Sequence, residues 1–254
     1  MASAIMGGII KNKVFAPEEI YGADALPIAC ETAVDKFGIQ ILSGNRELVQ
    51  AVDIIVLAVK PQYYQVVIEE IREVVTDQHL VITIAPGKTL AWLGDLFTKP
   101  VKLIRTMPNT PAMVGKGMTA MCYNDLVTAA DLEIAGSILS GIGEYEIVSE
   151  HLMDAVVGVS GSAPAYVFMF IEAMADAAVM GGMPRQQAYK FAAQAVEGSA
   201  AMVRELGRHP GDLKDMVCSP AGTTIEAVAK LEEKGFRSAV IEAMRVCMDK
   251  SGKM

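Results

Sequence analysis

Between Cys218 and Val228 the chain reads CSPAGTTIEAV, which sets Ser219, Thr223 and Thr224 among a proline and small residues just ahead of an apolar-periodic run. Hydroxyls in such a cluster can do two kinds of chemistry. They can attack an electrophile, which requires a base beside them, or they can help the amides of a helix start hold an anion. The histidines His79, His151 and His209 lie far apart, and no Ser-His-Asp or Cys-His grouping accompanies the hydroxyls. The pattern therefore points to anion holding, with bond-changing chemistry left to a cofactor. TTIE (Thr223–Glu226) fits the capping box S/T-x-x-E with Thr223 as N-cap, which by itself marks only a helix start. Ser219, Pro220, Ala221 and Gly222 would add exposed N–H groups ahead of that helix's positive end, a place for a carboxylate. SGSAPAY (Ser160–Tyr166) likewise puts small residues before a helix, where a ligand or another backbone can approach closely.

A second group of candidates sits where apolar runs stop. In LAVKP (Leu57–Pro61) the backbone of Ala58 and Val59 and the stem of Lys60 would border a cofactor, although Lys60 reads equally well as an exposed strand-end lysine. TIAPG and RTMPNTP end in the same manner, and Asn109 could hydrogen-bond a nicotinamide ribose. Turn chemistry alone also accounts for the prolines. Asp24 occupies a place about 20 residues past the expected Gly-rich turn, where an acidic side chain binds a ribose 2′-hydroxyl; the plainer reading is a solvated turn aspartate.

The elements that must present these groups differ between the two halves. Up to Ser149, VDIIVLAVKP, HLVITIAPG and VKLIRTMPNTP are near-continuous apolar runs, as expected of parallel strands covered on both faces, and EEIYGADA (Glu18–Ala25) and EYEIVSE (Glu144–Glu150) are weaker strand candidates. PQYYQVVIEEIREVV and AADLEIAGSILSGIG have helical spacing. Alternation of this kind predicts a doubly wound α/β (Rossmann) domain over 1–149, binding ligands beyond the carboxyl ends of its strands. From Glu150 onward strand signals vanish, and residues 150–254 read as an all-α domain of Ala- and Met-rich helices. The first of them, YVFMFIEAMADAAVMGGM, is apolar nearly all round, which fits either a central core helix or a helix packed against another subunit. MASAIMGGIIKNK reads as the first helix of the Rossmann order, with Ala2, Ser3 and Ala4 small enough for close packing. The strand and G-x-G turn that would come before it are not in the sequence, so the domain is expected to be N-terminally truncated and to lack two ladders of a central strand; alternatively, Met1 opens an ordinary helix.

Composition excludes several classes. The chain has 254 residues, 52% hydrophobic and 20% charged, with a net charge of −8, so it has no basic stripe for a nucleic-acid backbone. Its four cysteines, Cys30, Cys122, Cys218 and Cys247, show no paired ligand spacing, so no metal site is expected and a reducing cytoplasm is. Ala155–Met183 is interrupted by Pro164, Glu172 and Asp176, short of the ~18 consecutive apolar residues of a spanning helix, and no membrane association is expected.

VGVSGSAPAYVF, HPGDLKDMVCSPAGTTIEAV and GFRSAVIEAM together resemble the pyrroline-5-carboxylate reductases, and the likeness continues through VDIIVLAVKPQ and RTMPNTPA, covering essentially the whole chain. The resemblance implies an enzyme of proline biosynthesis that reduces the C=N bond of Δ1-pyrroline-5-carboxylate with NADPH or NADH, and a helical domain that forms a homodimer, in some members within a larger ring. It further implies that Thr223 and Thr224 hold the substrate carboxylate and ring nitrogen, that Ser219 and Gly222 line the pocket, and that Thr224 is the hydrogen-bond or proton partner of the imine. The matching cofactor positions are Met1, Asp24, Asn45, Ala58, Val59, Lys60, Pro61, Ile84, Ala85, Pro86 and, at the domain junction, Glu150.

The chain departs from that pattern in three places. The phosphate-loop residues are not present, Ala163 stands where the family usually has glycine, and Gly207 stands where some members carry a substrate-touching glutamate. Asp24 has no arginine beside it, which favours NADH because a 2′-phosphate would face a carboxylate. Two other readings compete. One is a β-hydroxy-acid-type dehydrogenase, which would need a lysine on the helix after SGS, where the chain offers Tyr166 and apolar residues. The other is an inactive truncated subunit acting only as a helical oligomerisation module.

Overall fold

The computed structural model describes residues 1–253. In chain order the elements are α1 (Ala2–Lys11), β1 (Tyr21–Gly22), α2 (Pro27–Phe37), β2 (Gln40–Ile41), α3 (Asn45–Gln50), β3 (Ile54–Leu57), α4 (Tyr64–Ile71), β4 (Leu80–Thr83), α5 (Leu90–Phe97), β5 (Lys102–Met107), β6 (Gly117–Tyr123), α6 (Ala129–Ser140), β7 (Gly143–Ile147), α7 (Met153–Val156), α8 (Ala163–Met180), α9 (Arg185–Leu206), α10 (Pro210–Val217), α11 (Thr223–Glu233) and α12 (Phe236–Ser251). They form two compact units. One is Met1–Ser162 with the residues from Cys247 on; the other is Ala163–Val246.

The first unit is built on a five-stranded sheet in the order β3-β4-β5-β6-β7, parallel except for the antiparallel β5–β6 pair. Both faces are covered, which is why its strands read as unbroken apolar runs. On one face Ile55, Leu57, Val81 and Leu103 meet Tyr64, Ile68 and Ile71 of α4 and Leu93 and Phe97 of α5. On the other, Ile82, Ile104 and Met121 meet Ile5 and Ile9 of α1 and Ile138 and Leu139 of α6. A separate two-stranded sheet pairs β1 with β2. Among the described residues β1, β2, β3 and β7 each have one strand partner. Ala4 packs against this second cluster, and the closest approach of α1 falls at Gly8: a Cβ there would lie 2.5 Å from the Gly141 carbonyl oxygen, and Asn12 Nδ2 donates to the carbonyls of both Gly8 and Gly141.

Several expectations need correction. The strand expected over Glu18–Ala25 shrinks to Tyr21–Gly22, because Pro17 opens a 3₁₀ turn over Pro17–Glu19. The strands Gln40–Ile41 and Gly117–Tyr123 were not anticipated; GMTAMCY is poor in β-branched residues and is held in the sheet by its buried neighbours on either side. By contacts between residues, the two compact units divide at 162/163. Met153 packs with Ala120 and Cys122, Asn109 Nδ2 donates to the Ser160 carbonyl at 3.1 Å, Cys247 Sγ donates to Ser162 Oγ at 3.1 Å, and Ser251 Oγ donates to Asp154 Oδ1 at 2.7 Å, so these segments join the first unit.

The second unit is entirely helical, and α8 and α9 form its antiparallel centre. Gly207, in the left-handed region, closes α9, a structural duty for a position that received no role from the sequence. Its large apolar side chains lie mostly outside: Phe168 is 62%, Met169 70% and Phe191 66% exposed. The helical run Glu150–Met180 is long and apolar enough by composition to cross a membrane, which corrects the expectation that it falls short. Length and composition alone do not separate a spanning helix from one covered by a second subunit.

Candidate active site

In the first unit the ligand side of a parallel sheet is its carboxyl end. There Ala58, Val59 and Lys60 leave β3 as exposed backbone before the 3₁₀ turn at Pro61–Tyr63, while Ile84, Ala85 and Pro86 leave β4 with Ala85 buried. Sequence reasoning missed the residue that holds these two strand ends together. The buried Tyr64 hydroxyl donates to the Leu57 carbonyl at 2.6 Å and accepts from the Ile84 amide at 3.2 Å. Burial pushes its pKa up to about 12, against the smaller opposing effect of the Ile84 and Ala85 amides. Tyr64 looks like one more aromatic on a helix face, and only the fold shows where its hydroxyl lands.

The other first-unit candidates are placed less uniformly. Asp24 follows β1 and its Oδ1 accepts from the Leu26 amide at 2.9 Å, so one carboxylate oxygen shapes the approach to α2 while the residue stays exposed. Asn45 opens α3 and donates from Nδ2 to Glu70 Oε2 at 2.9 Å. Met1 is the exposed N-cap of α1. Asn109, proposed to meet a ribose, is instead largely buried: its Oδ1 accepts from the Met118 amide at 2.9 Å and its Nδ2 donates to Ser160, so it ties the end of β5 to β6 and to the π-helical turn Val157–Gly161. Glu150 is drawn to Arg105, with Oε1 at 2.8 Å from Nη1. Cys122 lies beside that pair; burial first, and then the Glu150 charge, raise its thiol pKa to about 11, so it is a packed thiol rather than a nucleophile.

A dinucleotide laid over these strand ends would meet main-chain donors and acceptors at 58–60 and 84–86, the Asp24 carboxylate, and the helix start at Met1–Ala4. Such a set fits ribose hydroxyls and a carboxamide.

In the second unit, Ser219–Gly222 form a tight turn in which the Gly222 amide donates to the Ser219 carbonyl at 3.0 Å. Pro220 takes the second position and Ala221 the third, at φ +54°, a conformation costly for a residue with a Cβ. A Cβ on Gly222 would lie 2.3 Å from Ser219 Oγ, which can rotate away, and 3.1 Å from the Ser219 carbonyl oxygen, a tight fit. The expected capping box is not formed. Gly222, not Thr223, is the N-cap of α11, no side chain caps it, and Glu226 falls one position too late to reach back. The first-turn amides of α11 therefore stay open, with the exposed hydroxyls of Ser219 and Thr223 and the half-buried one of Thr224 beside them. Among the described residues no group of His, Cys, Asp and Glu could hold a metal ion.

Comparison with known proteins matches residues 150–254 to a family described as pyrroline-5-carboxylate reductase dimerisation, and residues 1–87 to one described as NADP oxidoreductase coenzyme F420-dependent. The chain is 54% identical over 254 residues to the pyrroline-5-carboxylate reductase of Escherichia coli (strain K12), covering 100% of this chain and 94% of that one. It is 41% identical over 254 residues, with the same coverage, to the protein of that name from Methanosarcina acetivorans. Among solved structures, the Coxiella burnetii pyrroline-5-carboxylate reductase superposes with a TM-score of 0.92 at 31% identity, covering 99% of this chain and 94% of that one. The Plasmodium falciparum pyrroline carboxylate reductase, solved with NADP bound, superposes at 0.89 and 30% identity, covering 99% and 93%.

Proposed function

The chain belongs to the pyrroline-5-carboxylate reductase family, and on that premise we propose that it reduces Δ1-pyrroline-5-carboxylate to proline with NADH or NADPH. The observation that carries this reading is the uncapped start of α11 behind the Ser219–Gly222 turn, an anion site with hydroxyls and no base. The open amides at Thr223 and Thr224 take the substrate carboxylate, as a helix N-terminus does. Thr224, half-buried, offers its hydroxyl to the ring nitrogen, while Ser219 and Gly222 bound the pocket. The nicotinamide supplies the hydride when bound. The chain's own residues orient and hold the protonated imine, an effect worth roughly 7–11 kcal/mol when the geometry is right.

Asp24 supports a preference for NADH, since its carboxylate would face a 2′-phosphate. The exposed Phe168, Met169 and Phe191 support a homodimer through the helical unit, open to assembly into a larger ring, and the unpaired cysteines fit a cytoplasmic enzyme. The test is oxidation of NADH and of NADPH in the presence of pyrroline-5-carboxylate, with proline identified as product. Nucleotide oxidation that depends on the imino acid and collapses in Thr224→Val supports the reading. A chain that associates but neither binds nor oxidises either nucleotide is an oligomerisation module.

A further inference from the structure

We infer that Arg105 and Glu150 are positioning residues that fix the turn between β4 and α5 for the nucleotide, an inference that rests on the reductase reading above. Leu57, Thr83, Arg105 and Cys122 are register partners in one row across the sheet, so the Arg105 guanidinium lies within a largely apolar face and is only 7% exposed. A buried guanidinium without a counter-charge is heavily disfavoured. Glu150 supplies that charge, and the same Oε1 that meets Arg105 also accepts from the Leu90 amide at 2.8 Å. Leu90 is the first residue of α5, where a carboxylate also complements the helix's positive end.

The turn 85–89 is thus clamped at both of its ends by partly buried polar contacts. Tyr64 holds the Ile84 amide before it, and Arg105, through Glu150, holds the Leu90 amide after it. Only the middle of the turn is left facing the carboxyl end of the sheet, where a cofactor is received. Glu150 acts through Leu90 and need not touch the nucleotide itself. The chain's single tryptophan reports on the same segment: Trp92 lies in the first turn of α5, with Lys88 Nζ 4.7 Å from its ring centroid.

The experiment compares the full chain with Glu150→Ala, Glu150→Gln and Arg105→Lys by amide exchange over residues 85–91, Trp92 emission, titration with NADH and NADPH, and steady-state kinetics. Glu150→Ala is expected to speed exchange in that segment and to weaken binding of the preferred nucleotide by about tenfold, the scale of one lost hydrogen bond to a charged group. KM for the nucleotide should rise with it, while kcat changes by less than about threefold. Glu150→Gln keeps an acceptor for Leu90 but leaves Arg105 without its counter-charge, so exchange and affinity should fall between those of Glu150→Ala and the unsubstituted chain, which also covers the case of an alanine variant that does not fold. Unchanged exchange at 85–91 would overturn the inference, and so would faster exchange with affinity for the preferred nucleotide within twofold of the unsubstituted chain. If the unsubstituted chain binds neither NADH nor NADPH, the reductase reading fails instead, and exchange together with Trp92 emission alone decides whether the clamp exists.

Discussion

The two units bury their apolar side chains to very different extents. In the first, Tyr64, Ile68, Ile82, Phe97, Ile104, Met121 and Leu139 are almost completely enclosed between helices and sheet. In the second, the buried apolar residues among those described are Ala175, Ala188, Ala192 and Leu213, while phenylalanines and methionines lie outside. The first unit therefore encloses a core within one chain, whereas the second has core residues without a core. An exposed apolar surface of this kind is the mark of an association surface, and it accords with the match of this region to a dimerisation family. The stability of the first unit should be a property of the chain, and that of the second a property of its concentration.

The largest expected effect tests the second half of that contrast. Replacing Phe168 by Asp places a charge on the exposed face of α8. A central aromatic anchor is worth about 2–4 kcal/mol, or roughly a thirty- to thousandfold change in the dissociation constant. Sedimentation velocity over a dilution series should show the variant dissociating where the unsubstituted chain stays associated. Undiminished association would place Phe168 outside the interface and leave its exposure unexplained.

Gly8→Val tests the other half. Its Cβ would lie 2.5 Å from the Gly141 carbonyl oxygen and 2.7 Å from Ile142 Cγ2, so α1 must move off α6. Overpacking of this kind costs about 1–3 kcal/mol or more. Denaturant unfolding of the first unit should lose that amount whatever the protein concentration. A loss that grows on dilution would mean that this unit, too, leans on a partner.

Tyr64→Phe sharpens the comparison at the site. It leaves the Leu57 carbonyl and Ile84 amide without their partner, at about 1–3 kcal/mol. It also predicts a pH signature. The Tyr64 pKa is about 12 in the folded chain and near 10 when unfolded, so the stabilisation is complete below pH 10 and is lost as pH rises through 10 to 12. The slope approaches 1.4 kcal/mol per pH unit in that window. Alkaline unfolding curves should show this slope in the unsubstituted chain and not in Tyr64→Phe; identical slopes would mean that another group is responsible.

What could be read in advance follows the range of each interaction. β3, β4 and β5 were legible because a strand covered on both faces must be apolar throughout, and α8, α9 and α11 were legible from their helical spacing. β6 was not, since Gly-Met-Thr-Ala-Met-Cys-Tyr takes its strand form from the pairing with β5 and β7. Tyr64, Arg105 and Gly8 owe their roles to contacts between residues distant in sequence, and a linear reading has no term for these. The Ser219–Thr224 segment was legible as a hydroxyl-bearing helix entrance because its chemistry is local. Its cap was misplaced by one residue because Thr223 and Gly222 can both precede a helix, and the turn at Ala221 decides between them.

That turn gives the smallest effect and the most discriminating one for the exposed unit. Ala221 at φ +54° costs about 1 kcal/mol relative to a relaxed backbone. Ala221→Gly removes that strain but loosens the unfolded chain and the turn itself, for a net gain of roughly 0.5 kcal/mol. If alanine is there to stiffen the loop that presents Ser219, Thr223 and Thr224, the variant should melt slightly higher and yet bind its imino acid less well, with KM raised by about two- to fivefold and kcat little changed. Equal KM values would mean that the strain is merely tolerated. In that case the precision of the second unit comes from the subunit that covers its apolar face, and the turn contributes none of it.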